Sequence, residues 1–176
     1  MKRTILAISL SVAVAGCETQ QLEGPPPPGP PPPSAAPFRA RDFSWSAERG
    51  SASIHGQVAF SDGSARYSCA GQPVILTPDA PFSRARMVAL YGSDQRAALP
   101  VSVVRGRQAN RPSDDYNAFV RRATCDPQQR FAFQGLPAGS WYVIVVAQPA
   151  AAGAESMALM HRVTTREGSA KSLTIQ

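Results

Sequence analysis

Three cysteines and two histidines carry most of the chemistry this chain could perform. Cys69 and Cys125 lie far apart in sequence, outside any Cys-x-x-Cys pattern and with no basic residue beside them to favour a thiolate. In an oxidising compartment such a pair is most simply a disulfide. It would close a long loop, for which chain entropy gives ~4 kcal/mol. Two free thiols, or one reactive cysteine, are the alternatives. A metal site needs three or four ligands at close spacing, as in His-x-His or His-Glu-x-x-His, and neither His55 nor His161 has such a neighbour. Strand alternation points His55 outward and puts His161 on a face with Met157, Leu159 and Val163. A surface histidine and a partly buried, hydrogen-bonded one follow. Nucleophilic hydrolysis finds no Gly-x-Ser-x-Gly elbow, and no serine–histidine–acid set stands out. The adjacent carboxylates Asp114 and Asp115 diverge on a strand and suit the start of a solvated turn or helix. No glycine-rich phosphate loop is present. No cofactor, no metal and no enzymatic activity are expected; the alternative is a hydrolase whose residues only the fold brings together.

The remaining cysteine has a different setting. Lys2 and Arg3 precede the apolar run from Thr4 to Ala13, and Val14-Ala15-Gly16-Cys17 follows. The run is too short to span a bilayer stably and lacks a charged stop-transfer flank, so it reads as an export signal. Two small residues before Cys17 let the backbone enter a peptidase cleft, and the thiol is the nucleophile that takes a diacylglycerol. Val14-Ala15-Gly16-Cys17 resembles the lipobox of bacterial lipoprotein signal peptides. The resemblance implies cleavage before Cys17, which becomes the new N-terminus, a lipid of three acyl chains on it, and residence in the cell envelope. One chain gives only marginal binding at ~0.8 kcal/mol per buried methylene, whereas three anchor durably. Glu18 stands where an inner-membrane retention signal would be aspartate, which favours the outer membrane over the inner.

Organisation follows from composition. Residues 1–16 are the expected leader and 17–37 a lipidated start and tether, with Pro25-Pro26-Pro27-Pro28-Gly29-Pro30-Pro31-Pro32-Pro33 at its centre. Proline fixes φ and removes donors, so this tract suits polyproline II at ~3.1 Å per residue. Fully extended, the tether would hold a domain on the order of 60 Å from the lipid. A spacer is the expected role; a ligand for proline-binding domains is the alternative. Residues 38–176 have the length of one domain. The full chain carries a net charge of +6, and basic residues remain in excess without the leader. Those arginines are scattered rather than gathered in a stripe with interleaved aromatics, which argues against nucleic acid as a partner.

Alternation supplies the fold. In Ser51–Phe60, Ile54, Val58 and Phe60 share one face and His55 and Gln57 the other. Ser61-Asp62-Gly63-Ser64 reads as a turn and Ala65–Ala70 as a returning strand. Pro73–Pro78 is a short apolar strand between prolines. Ser83 can cap a helix running through Tyr91, with Gly92 ending it. Val101–Val104 and Ala118–Thr124 are further strand candidates, and Arg130-Phe131-Ala132-Phe133 alternates cleanly. Trp141–Ala147 is apolar on both sides, as in a central strand covered on both faces. Met157–Thr164 and Lys171–Ile175 complete an all-β sandwich of about seven strands with one or two short helical inserts.

Gly56-Gln57-Val58, Gly71-Gln72-Pro73-Val74-Ile75-Leu76 and the segment from Arg130 through Gln134-Gly135-Leu136-Pro137-Ala138-Gly139-Ser140-Trp141 to Ile144 resemble the carboxypeptidase regulatory-like domain. That resemblance implies a prealbumin-like (transthyretin-like) β-sandwich. Phe131 and Phe133 would fill the space between sheets, Leu136 would plug its end, and Pro137 and Gly139 would set a corner, with Gly139 accepting φ > 0. The chain departs from the family pattern at Asp126-Pro127-Gln128-Gln129, where an Asp-Gly type turn is usual, and in the long insert between Thr77 and Ala118. Hydroxyisourate hydrolases of related fold carry a Tyr-Arg-Gly-Ser motif with His and Arg partners. Neither Leu173-Thr174-Ile175-Gln176 nor Leu90-Tyr91-Gly92-Ser93 supplies that set. The paired tyrosine and histidine iron ligands of dioxygenases of related sandwich fold are also not evident.

The expected function is therefore a non-catalytic module, held at a membrane through its N-terminal lipid, that binds an envelope protein or supports envelope structure. A carbohydrate- or peptidoglycan-binding module is the alternative within that class. Trp45, in Asp42-Phe43-Ser44-Trp45, is the candidate platform for a sugar ring, since Trp141 sits in an apolar strand and belongs to the core.

Overall fold

The alternating segments pair into two sheets whose apolar faces meet, which is the all-β sandwich expected. The structure is a computed structural model that describes residues 36–63, 65–107, 109, 114–150 and 153–176. These belong to one compact unit, Pro32–Gln176. The strands are β1 (Ala52–Val58), β2 (Tyr67–Ser68), β3 (Pro73–Pro78), β4 (Arg96–Pro100), β5 (Arg121–Thr124), β6 (Arg130–Leu136), β7 (Gly139–Pro149), β8 (Met157–Thr165) and β9 (Ala170–Ile175). Three helices, α1 (Pro81–Tyr91), α2 (Val101–Gly106) and α3 (Asp114–Asn117), and two 3-10 turns before β1 accompany them. The smaller sheet has the order β6–β1–β9, with β1 antiparallel to β6 and parallel to β9. The larger has the order β4–β8–β7–β3–β5, and β2 pairs with Gln148 and Pro149 at the end of β7.

Period-two patterning explains the core. Ile54 and Val58 of β1 face inward, and Gly56 lies between them because the Phe131 ring fills its place. A Cβ on Gly56 would stand 2.0 Å from Phe131 Cζ. Phe133 and Leu136 are buried beside it, and β7 contributes Trp141, Val143, Val145 and Ala147 from the other sheet. Each fully buried aliphatic or aromatic side chain of this kind stabilises by about 1.5–3 kcal/mol. The opposite face of β7 is also covered: Tyr142 and Ile144 pack under α1 and α2 with Met87, Leu90, Val104 and Met160. A third cluster joins Phe38, Phe43, Phe82, Tyr116 and Phe119 around α1 and α3. The Phe43 and Tyr116 rings meet edge to face at 5.6 Å.

Cys69 and Cys125 form the disulfide, closing a sequence separation of 56 with Cα atoms 5.7 Å apart. It ties the entry of β3 to the turn before β6. Cys125 N–H donates to Gln72 O at 3.0 Å and Gly71 N–H to Cys125 O at 2.9 Å. In the turn Asp126–Gln129 the left-handed position falls on Gln129, with φ 64°. A non-glycine residue there costs on the order of 1–2 kcal/mol. The side chain offsets this: with its amide nitrogen turned inward, Gln129 donates to the carbonyls of Val58 and Tyr67, each at 3.2 Å.

Three local expectations need correction. Residues 65–70 do not return along β1. Beyond a single bridge between Ser61 and Arg66, the chain crosses to the larger sheet and pairs with β7. Val101–Val104 is helical, and the strand lies just before it as β4, where Arg96–Pro100 pair with His161–Met157 of β8. Helix α1 begins at Pro81, not at Ser83. Proline suits a first helical position, and Ser83 caps from inside the first turn, its Oγ accepting from Ala80 N–H at 2.8 Å and donating to Pro78 O at 2.6 Å. At the corner a second glycine, Gly135, takes the left-handed conformation, with φ 65°. Gly139 also has positive φ, 157°, as expected, and is required by proximity as well, since a Cβ there would lie 2.2 Å from the Trp45 ring.

Candidate functional site

The outer face of the smaller sheet carries a shallow depression of about 560 Å³. Its geometry follows from register. His55 is flanked across the sheet by Ala132 on β6 and Ser172 on β9; Gln57 is flanked by Arg130 and Thr174. Small residues on both sides of His55 leave its imidazole standing above a low floor, and the longer Arg130 closes one end. All six side chains are exposed. They mix donors and acceptors, as recognition of hydroxyl groups requires.

The end wall is braced by an ion pair. Asp126 accepts from Arg130 N–H at 2.8 Å and from Arg130 Nε at 3.1 Å. Those bonds, the backbone one first, hold its carboxyl below the usual carboxylate range. Asp126 therefore presents Arg130 rather than acting on His55. His55 Nε2 lies 3.1 Å from Ser53 Oγ, and among the described residues no hydrogen bond joins either histidine to a carboxylate. His161 is half-buried on β8, with Nδ1 donating to Arg162 O at 2.8 Å. The two histidines lie on different sheets. Among the described residues no group of three or more His, Cys, Asp or Glu side chains is placed to hold a metal, and no helix is long and apolar enough to cross a membrane.

Trp45 does not line this depression. It is half-buried, its ring edge-on to Trp141 at 4.9 Å and close over Gly139. Trp141 is fully buried, as expected for core, and its Nε1 donates to Thr165 Oγ1 at 3.1 Å. Arg121 lies over the Trp141 ring at 5.6 Å and donates to Ser46 O at 2.9 Å, which staples the segment carrying Trp45 to the sheet. Burial holds the Arg121 guanidinium below its ordinary pKa. Asp114 and Asp115 are the first two residues of the short helix α3. Cys17, the expected lipidation site, lies outside the described residues, as do the leader and the proline tract.

One polar centre had no sequence signal. Asp79, after β3, is 1% exposed in its side chain and accepts bidentate bonds from Arg84 at 3.1 and 3.2 Å. It also accepts from Arg162 Nε at 2.8 Å and Tyr142 OH at 3.2 Å. Burial and the Asp79 charge push the Tyr142 phenol well above its usual range. Every group here has a partner, so the centre is a structural tie between β3, α1, β7 and β8.

No protein-family model and no curated protein sequence matches the chain. Among solved structures, one of a putative carbohydrate binding protein from Pseudomonas aeruginosa is similar over 80% of this chain and 98% of its own. Its TM-score is 0.62 and its identity 19%, a likeness of fold. GBS52, the minor pilin of Streptococcus agalactiae, aligns over 73% of this chain and 44% of its own with TM-score 0.37 and 11% identity. The RrgB pilus protein of Streptococcus pneumoniae aligns over 70% and 29% with TM-score 0.30 and 15% identity. The two pilin alignments are too loose to carry an argument.

Proposed function

We propose that the chain is a lipid-anchored envelope protein whose sandwich is a non-catalytic binding module, and that its ligand is a glycan received on the outer face of the smaller sheet. The observation that carries this reading is the polar depression around His55 and Gln57, floored by Ala132 and Ser172 and closed by the Asp126-braced Arg130. Sugars present hydroxyls as both donors and acceptors, and amide, imidazole, hydroxyl and guanidinium groups on a rigid sheet meet them without paying for loop ordering. The sandwich shared with a putative carbohydrate binding protein supports the same reading at the level of fold.

Affinity electrophoresis against peptidoglycan fragments and neutral polysaccharides tests it. Paired substitution of Gln57→Ala and Arg130→Ala should weaken retention at least tenfold with the thermal midpoint little changed. Undiminished retention would refute the outer face as the site. A hydrolytic reading has one observation in its favour, the His55–Ser53 contact; release of reducing ends from the same polymers, abolished by His55→Ala, would establish it instead.

Anchoring rests on Cys17 and its flanks. Labelled palmitate should enter the parent protein and leave Cys17→Ala unlabelled, with the variant moving from the membrane to the soluble fraction. A labelled Cys17→Ala protein would sink the anchor.

A further inference from the structure

The sandwich is open along one flank. β8 belongs to the larger sheet and β9 to the smaller, and no ladder joins them. Two crevices of about 410 and 370 Å³ open there, and His161 lines both. Arg166 and Lys171 rim the first, over an apolar floor that includes Val163 and Leu173. Lys171 is registered with the inward-facing Ile54, so its side chain leaves the inner side of β9 towards the flank and not towards the outer face. Arg96 rims the second crevice, directly opposite His161 in the β4–β8 ladder. No aspartate or glutamate lines either crevice.

The cations rimming these crevices are exposed and, like Arg66 and Arg122 elsewhere on the surface, are not neutralised by a carboxylate among the described residues. Arg84, Arg130 and Arg162 each meet a carboxylate. Among the described residues Arg96, Arg166 and Lys171 have no ion pair, and Glu167, next to Arg166, is engaged by Ser51 at 2.5 Å. Like charges around a concave, partly apolar wall focus potential and favour an anion. We propose that this flank binds the anionic substituents, carboxylate or phosphate, of an acidic glycan. The proposal rests on the outer-face reading and extends it. Leu173 lines both the outer depression and the first crevice, and Thr174 both the depression and the second. β9 is thus a shared wall one strand wide, about 5 Å across. A polymer lying on the outer face reaches the cations by crossing that strand.

Calorimetric titration of the full chain with a polyuronate, its methyl-esterified form and a phosphomannan tests the proposal. The double variant Arg166→Gln/Lys171→Gln should lose about tenfold in affinity for the polyuronate, the phosphomannan or both, and bind the ester as the parent does. Whichever polymer is affected identifies the anion. Unchanged binding of both acidic polymers, or no binding of either by the parent, overturns the proposal. The outer-face pair Gln57→Ala/Arg130→Ala separates the two readings. Loss of ester binding in that pair, with the flank variant silent on every polymer, leaves the outer face standing and removes the flank. Loss of acidic-polymer binding only in the flank variant keeps the flank and removes the outer face. Equal thermal midpoints of parent and variants exclude misfolding as the cause.

Discussion

Asp79 shows how much one residue can organise. Its carboxylate is almost fully removed from water and receives two guanidinium groups and a phenol. Removing one partner of a buried ion pair costs about 3–5 kcal/mol, because the remaining charge is left uncompensated. Arg84 is 49% and Arg162 29% exposed in their side chains, so water screens both and the lower end applies. Asp79→Ala should therefore lose about 3 kcal/mol in urea unfolding, and Arg84→Ala less than about 1 kcal/mol. Equal losses in the two variants would show that the centre is not organised around the carboxylate. Nothing in the sequence marks this residue, since its partners Tyr142 and Arg162 are distant in the chain. His55 was different: alternation alone set it outward on β1, although the neighbours that make its surroundings a depression come from β6 and β9.

Elements divide by how much of their stability is local. Strands β1, β3, β6, β7 and β9 carry patterns of apolar residues that pairing only completes, and the sequence expectation meets them within a few residues. β4 carried no expectation because Arg96-Ala97-Ala98-Leu99-Pro100 has little intrinsic strand preference and becomes a strand by pairing with β8. Val101–Val104, although β-branched, turns helical to cover Tyr142 and Ile144, and its Ser102 N–H is capped by Glu155 at 2.6 Å. The corner into β7 depends on contact between elements. Trp45 occupies the space of a Gly139 side chain, so Gly139→Ala should cost about 1–3 kcal/mol by overpacking. In the Trp45→Ala background the overpacking part of that cost should disappear while the backbone part at φ 157° remains, a coupling of about 0.5 kcal/mol or more in a double-mutant cycle, on the order expected of contacting residues. Additive losses would mean that the glycine serves the backbone alone.

At the scale of the whole molecule, the sandwich is closed at one corner and open on one flank. The disulfide between Cys69 and Cys125 draws β3 and the approach to β6 together, and a loop of this length contributes about 4 kcal/mol by restricting the unfolded chain. The β8–β9 side has no such tie, and both proposed contacts with glycan border β9. The sequence by itself determined the class of fold, the core strands and the pairing of the two distant cysteines, because alternation and cysteine arithmetic are local or compositional signals. It also supplied the motif at Cys17 from which anchoring is proposed. Only the tertiary structure decided that β2 joins β7, that Asp79 gathers two guanidinium groups and a phenol from three elements, and that His55 stands in a depression while His161 faces the open flank. Each of these depends on register and on strand order between segments far apart in the chain, and a one-residue change of register would turn every side chain of a strand to its other face.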